Sequence, residues 1–150
     1  GPGQWRGVCG SRITKQTRAP MFLNFSAIGR RWPMKGIAGG QSGAPNCWLY
    51  DPDTPQEREE TGLGYLVKFQ PGSRWAFQLG GGGGWGDPLE RDPTAVLDDV
   101  LDGYVSVEGA QSDYGVVLTP NGRSLDLEAT RAERAARARG SATSRSPSAS

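Results

Sequence analysis

The feature that most restricts how this chain can fold is a run of five consecutive glycines, Gly80–Gly84. Glycine loses more backbone entropy on ordering than any other residue. An ordered run of this kind therefore indicates a place where a backbone must come too close to another chain segment or a ligand for side chains to fit. Since the 150 residues include 23 glycines and 11 prolines, we expect turns and short strands, with few long helices.

The glycine run, extended to Gly80–Pro88, has two interpretations. Its backbone N–H groups could line an anion site, as glycine-rich loops do around phosphates. However, it fits neither G-x-G-x-x-G nor G-x-x-x-x-G-K-[ST], and no lysine follows it. We therefore favour a tightly packed structural turn beside an active site or an interface.

The order of sequence patterns predicts an α+β fold, dominated by short strands and hairpins, with one or two short helices after the glycine-rich loop and a C-terminal helix. Pro71-Gly72 predicts the turn of a hairpin. Asp92, Pro93 and Ser106 have the chemistry of helix starts. Strands are predicted at 12–16, 21–28, 47–50, 65–69, 74–79 and 114–118, helices at 93–101, 106–113 and 126–139, and a solvated excursion at 51–61. The apolar stripe of the last helix is thin, so packing is expected to anchor only its first turn or two. Residues 1–137 are predicted to form the domain and residues 138–150 a disordered Ser/Ala/Arg tail.

Charge is unevenly distributed along the chain, although the net charge is only +1. Residues 1–50 carry seven basic side chains and no acidic one, and residues 51–120 carry thirteen acidic and four basic ones. Segments of opposite charge are expected to pack against each other, which we favour over a basic surface for nucleic acid. No apolar stretch approaches the roughly 20 residues that cross a bilayer, so neither nucleic acid nor membrane is a predicted partner.

The reactive side chains are mostly missing from the sequence. There is no histidine, which excludes a Ser-His-Asp relay or a Cys-His pair within the chain. Asp98 and Asp102 share one face of a predicted helix, and Asp99 is near them, but a solvated helix face is favoured over a metal site. Cys9 and Cys47 are expected to be reduced, partly buried thiols in a cytoplasmic protein, with one disulfide as the alternative. The five tryptophans are expected to fill the core or an interface.

Several motifs, taken in order, resemble one protein family. These are Gly1-Pro2-Gly3-Gln4-Trp5-Arg6-Gly7, Gly39-Gly40, Gly43-Ala44-Pro45, Gly81–Pro93, Val96–Val100, Gly103–Ser106 and Asp113–Leu118. Together they resemble the C-terminal portion of the hydantoinase B/oxoprolinase family, over residues 1 to about 137. The opening resembles the interior of a fold, so we expect a truncated or processed chain.

The resemblance implies a subunit that works with a hydantoinase A-type, ATP-using partner and with the N-terminal part of the B-type protein. Such complexes hydrolyse cyclic amides such as hydantoin, N-methylhydantoin or 5-oxoproline. ATP/Mg and a divalent metal are expected elsewhere in the full complex and not in this chain, which is expected to be inactive alone, with no catalytic residue. The alternative is a non-catalytic binding or assembly remnant of the same family.

The expected contribution of this chain is a substrate-proximal or interface loop. It comprises Gly81, Gly82, Gly83, Gly84, Trp85 and Asp87.

Overall fold

The computed structural model describes residues 1–60 and 62–143. It confirms the predicted α+β class, with six strands and three α-helices among those residues. The strands are β1 (Ser11–Gln16), β2 (Met21–Ser26), β3 (Cys47–Tyr50), β4 (Arg58–Glu60), β5 (Leu63–Phe69) and β6 (Arg74–Leu79). The helices are α1 (Pro93–Leu101), α2 (Val107–Tyr114) and α3 (Leu127–Thr143), and a single 3-10 turn covers Pro88–Glu90.

The strands form two antiparallel sheets that face each other. One has the order β1-β6-β3-β4, and the other consists of β2 and β5. Aromatic rings fill the space between them. Phe25 of β2 stacks on Trp48 of β3 with ring centroids 4.0 Å apart, and Tyr50 stacks on Phe69 at 5.9 Å. Large aromatic side chains thus form the core between the two sheets.

The predicted hairpin between β5 and β6 is wrong, although its turn is where the sequence indicates. Gly72 has a φ of 89° and closes the turn, but β5 pairs with β2 and β6 pairs with β1 and β3. The turn therefore carries the chain from one sheet to the other. It is hydrogen-bonded to the matching β1–β2 corner, where Gly72 N donates to Thr17 O at 2.8 Å. Phe69 and Trp75 belong to one aromatic cluster, which they build from facing sheets.

Two further strand predictions need correction. Arg58–Glu60 lies in the predicted solvated excursion, yet it forms β4 by pairing with β3. The predicted strand at 114–118 is wrong. Tyr114 ends α2, Gly115 takes the left-handed φ of 61° that terminates the helix, and only an isolated bridge joins Leu118 to Leu125. Strand-like composition does not make a strand where no neighbouring strand supplies hydrogen bonds.

The predicted helix starts are confirmed by their caps. Asp92 Oδ1 accepts a hydrogen bond from Thr94 N at 2.8 Å with Pro93 in the first turn, and Ser106 Oγ accepts one from Gly109 N at 2.9 Å. These caps satisfy N–H groups that have no partner within a helix. The helices enclose a second core of Val96, Ala110, Tyr114 and Val116.

Arginines hold α3 in place well beyond its first turns. Arg134 Nε donates to Tyr114 O at 3.0 Å, and Arg137 donates to Ser112 O and Gln111 O at 2.6 and 2.9 Å. These carbonyls lie in the last turn of α2, where Gln111 O also accepts from Gly115 N at 3.0 Å and the carbonyls of Ser112 and Tyr114 lie beyond the last intrahelical donors. Hydrogen bonds from arginines therefore hold α3 beyond the first turn or two to which packing is expected to be confined. The helix continues to Thr143, into the predicted tail, whose remaining residues 144–150 lie outside the described residues. The division at residue 137 stays a prediction.

Candidate functional site

Three glycine-rich segments, 1–10, 36–43 and 80–86, lie side by side and are here called the glycine junction. Gly84 is hydrogen-bonded twice to the 36–43 segment: its N–H donates to Gln41 O and its carbonyl accepts from Ile37 N, each at 2.9 Å. Trp5 and Trp85 exchange two backbone hydrogen bonds of 2.9 Å, and Gly82 N donates to Val8 O at 3.0 Å. The glycine run is therefore a central segment of the fold rather than a surface loop.

The backbones of the glycine junction are too close for side chains at most positions. A Cβ added at Gly81 would lie 2.5 Å from Val8 O, and one added at Gly3 would lie 2.6 Å from Trp85 N. Gly83 and Gly84 would likewise meet backbone atoms at less than 3.0 Å. At Gly82, by contrast, the nearest atom would be Val8 N at 3.5 Å, an ordinary contact. The close approach that the sequence predicts is thus present, but not at every residue of the run.

An apolar ledge, formed by Trp5, Ile37 and Trp85, borders the glycine junction. Trp85 forms β-bridges with both other residues, so the three are cross-strand neighbours. Their exposed fractions are 66%, 66% and 50%. Three exposed large apolar side chains in adjacent positions are more typical of a contact surface than of isolated surface residues. Trp32 is also exposed, whereas Trp48 is buried and Trp75 packs against it in the core.

Asp99 links the glycine junction to α1, and the sequence analysis did not identify this role. Its carboxylate accepts from Arg91 Nη2 at 2.8 Å and from Arg6 Nε at 3.2 Å. Asp99 is 7% exposed, whereas Asp98 and Asp102 are exposed as predicted. The available signal was its position between Val96 and Val100, on the buried side of the helix. Burial alone would lower the pKa of Arg6, but the hydrogen bond and charge of Asp99 outweigh it and raise that pKa.

A cleft of about 310 Å³ opens beside the glycine junction. Arg6 lies over the ring of Tyr104, with 4.9 Å from its guanidinium carbon to the ring centroid, and its Nη1 donates to Cys9 Sγ at 3.0 Å. Asp113 and Tyr114 line the opposite side, where burial raises the pKa of the Tyr114 hydroxyl. The cleft thus contains one cation, one carboxylate and hydroxyl groups, which suit a small polar ligand with both donors and acceptors.

The structure separates the predicted site residues. Gly81 lines the cleft, whereas Gly82, Gly83 and Gly84 lie within the glycine junction. Trp85 belongs to the apolar ledge. Asp87 is exposed and caps the 3-10 turn, where its Oδ1 accepts from Leu89 N at 2.9 Å. Whether any of them approaches a substrate stays a prediction.

Thiols, metal ligands and membrane spans complete the inventory. Both cysteines are free. Cys47 is buried, and burial raises the pKa of its thiol. Cys9 is exposed, contrary to the expectation of two partly buried thiols. Residues 1–60 and 62–143 contain no group of three or more His, Cys, Asp or Glu side chains placed to hold a metal ion. Within the same ranges, no helix has the length and apolarity to cross a bilayer.

Comparison with known proteins gives consistent matches. The model of the hydantoinase B/oxoprolinase family matches residues 1–88. The beta subunit of the caprolactamase from Pseudomonas jessenii is 37% identical over 91% of this chain, and the B-type subunit of a putative D-/L-hydantoinase from Pseudomonas sp. (strain NS671) is 35% identical over 86%. The chain spans only 24% and 22% of those two relatives.

Solved structures agree with the sequence matches. The crystal structure of the ATP-dependent caprolactamase from Pseudomonas jessenii matches 89% of this chain with a TM-score of 0.72 and 35% identity, and this chain covers 24% of that one. A nucleotide-free acetone carboxylase structure matches 97% of the chain with a TM-score of 0.68 at 23% identity, which shows the fold alone.

Proposed function

The chain belongs to the hydantoinase B/oxoprolinase family, and from that premise we propose that it is the C-terminal part of a subunit for ATP-dependent hydrolysis of cyclic amides. The observation that carries the proposal is the 37% identity to a caprolactamase subunit over nearly the whole chain. That relative is about four times as long, because this chain spans only 24% of it. The length of the relative leaves room for the reactive groups outside this chain.

In the proposed reaction, a hydantoinase A-type partner transfers the terminal phosphoryl group of ATP to the carbonyl oxygen of the amide and releases ADP. In the B-type subunit water then adds to the activated carbonyl carbon, the ring C–N bond breaks with a proton going to nitrogen, and phosphate leaves. Phosphorylation weakens amide resonance and makes the carbonyl carbon more electrophilic. No step is assigned to a metal held here, because the described residues offer no cluster of ligands for one. This chain supplies structure, through the glycine junction and the Arg6–Asp99–Arg91 network.

The proposed place of this chain beside the reaction is the predicted loop of Gly81, Gly82, Gly83, Gly84, Trp85 and Asp87. Gly81 lines the polar cleft, and the exposed Trp85 with its neighbours on the apolar ledge suits a contact with another part of the complex. Trp85→Ser is therefore expected to weaken assembly with the rest of the subunit. Trp32→Ser is the matched control, because Trp32 is exposed but does not belong to the ledge.

The decisive experiment joins this chain to the remaining part of a B-type subunit and adds the A-type partner with ATP and Mg²⁺. Hydantoin, N-methylhydantoin, 5-oxoproline and caprolactam are offered in turn, and ADP and the ring-opened product are measured. Turnover of at least one of them is expected from the full complex and none from the 150-residue chain alone. Turnover by the isolated chain would refute the proposal, and so would carboxylation of acetone, offered with bicarbonate in a parallel assay, by a complex that hydrolyses none of the four amides. A complex that assembles but turns over nothing would favour the non-catalytic remnant.

A further inference from the structure

The aromatic face of the four-stranded sheet is covered over only part of its width. Strand register places Ile13 and Lys15 of β1 on the same face as their partners Phe77 and Trp75 of β6. The β2–β5 sheet covers the β3 part of that face, where Phe25 stacks on Trp48. Beside this contact a mostly apolar groove of about 410 Å³ remains open. Ile13, which borders it, is 45% exposed.

Three buried polar atoms of residues lining this groove have no hydrogen-bond partner within the described part of the chain. They are Ser26 Oγ, Trp48 Nε1 and Trp75 Nε1. Buried donors are almost always paired in native proteins, because an unpaired one loses its hydration without replacement. These three atoms lie beneath the surface of the apolar groove, so an occupant can supply their missing acceptors only if the lining side chains shift as it binds.

The border of the groove is a strand edge. β2 pairs only with β5 among the described strands, so its other edge has unpaired backbone groups, and Leu23, Phe25 and Ser26 of this strand line the groove. An unpaired edge beside an apolar groove is a template for an added extended segment. The groove lacks oxygen acceptors and an apolar cover. A polypeptide strand supplies both, since it carries carbonyl oxygens and alternating side chains.

We propose that the groove receives an extended segment from the part of a hydantoinase B-type subunit that this chain does not span. The segment adds a third strand beside β2 and packs apolar side chains on Ile13 and Phe77, and a small shift of the lining side chains lets its carbonyl oxygens accept from the indole N–H groups of Trp48 and Trp75. The identity of the occupant rests on the proposed function and on the match of this chain to only 24% of the caprolactamase relative. The shape and chemistry of the groove do not depend on the proposed function.

The test uses the 150-residue chain and overlapping peptides of roughly ten residues, long enough for one strand. The peptides cover the part of the Pseudomonas jessenii caprolactamase relative that lies outside the match. Binding is followed by tryptophan fluorescence and by hydrogen exchange of β2. At least one peptide is expected to bind and to slow exchange at Phe22–Ser26. Ile13→Asp is expected to weaken that binding about tenfold or more.

Two further variants separate the groove from general effects. Trp75→Phe keeps an aromatic ring but removes the N–H donor together with part of the indole surface that lines the groove, so it is expected to weaken binding without unfolding the chain. Ile28→Asp is the matched control, because Ile28 is 78% exposed and does not line the groove. Circular dichroism confirms that each variant is folded.

Four outcomes overturn the proposal. In the first, no peptide protects β2 from exchange, and in the second, Ile13→Asp and Trp75→Phe leave peptide binding unchanged. In the third, dimerisation of this chain protects β2. In the fourth, a small neutral amide such as N-methylacetamide protects β2. Since the assay contains no ATP and measures no turnover, its failure leaves the hydrolysis experiment untouched.

Discussion

Gly82 and Gly84 are two residues apart in one glycine run, yet the structure predicts opposite effects of alanine at the two positions. The Cβ of Gly84→Ala would lie less than 3.0 Å from Pro2 O and 2.8 Å from Gly3 N. These are backbone atoms that cannot turn away, so segments 1–10 and 80–86 must separate. The Cβ of Gly82→Ala would find Val8 N at 3.5 Å and needs no movement.

The size of the Gly84 effect follows from what the separation breaks. The two Trp5–Trp85 backbone hydrogen bonds, both 2.9 Å, lie next to the clash. Each hydrogen bond contributes about 1 kcal/mol net, and overpacking typically costs about 1–3 kcal/mol. Gly84→Ala is therefore expected to lower the free energy of unfolding by about 3–5 kcal/mol. In a chain of this length that loss lowers Tm by about 6–20 °C.

Urea unfolding, followed by tryptophan fluorescence and circular dichroism, measures both variants. Gly82→Ala is expected to stay within about 1 kcal/mol of the parent, because alanine also reduces the entropy of the unfolded chain. If the two variants lose equal stability, or if Gly84→Ala loses none, the close packing of the glycine junction is not what holds these segments together.

Three further perturbations test separate parts of the structure. Asp99→Asn leaves Arg6 and Arg91 without their carboxylate and is expected to lower the free energy of unfolding in urea by on the order of 3 kcal/mol. The exposed control Asp98→Asn is expected to lower it by less than about 0.5 kcal/mol. Equal losses would contradict the assigned role of Asp99. Burial raises the pKa of Tyr114, so the folded state holds its proton longer than the unfolded state does, and the free energy of unfolding is expected to fall as pH rises above the ordinary tyrosine pKa of about 10. Tyr114→Phe should make that fall shallower, and an unchanged slope would contradict the argument. A thiol reagent such as DTNB is expected to react with one thiol of the native chain, Cys9, because Cys47 is buried. It is expected to react with both thiols of the denatured chain. Two rapidly reacting thiols in the native chain would show that β3 is open.

The sequence alone determined the features that depend on a few neighbouring residues. The structure places these local features where the sequence predicts them. They are the caps at Asp92 and Ser106, the turn at Gly72, and the strand compositions of β1, β2, β3, β5 and β6. The family resemblance was also readable, because it rests on the order of short motifs along the chain. The five glycines indicated close backbone approach, since the entropy they cost must be offset by something that side chains would exclude.

Only the tertiary structure decided which segments meet. Whether Pro71-Gly72 makes a hairpin or a corner between sheets depends on where the aromatic side chains of both strands are buried, and the turn itself carries no such information. The roles of Asp99, Arg134 and Arg137 depend on partners 8 to 93 positions away in sequence. The difference between Gly82 and Gly84 likewise exists only because segment 1–10 passes closer to one than to the other. Such distances are set by the packing of the whole chain, which local sequence patterns do not encode.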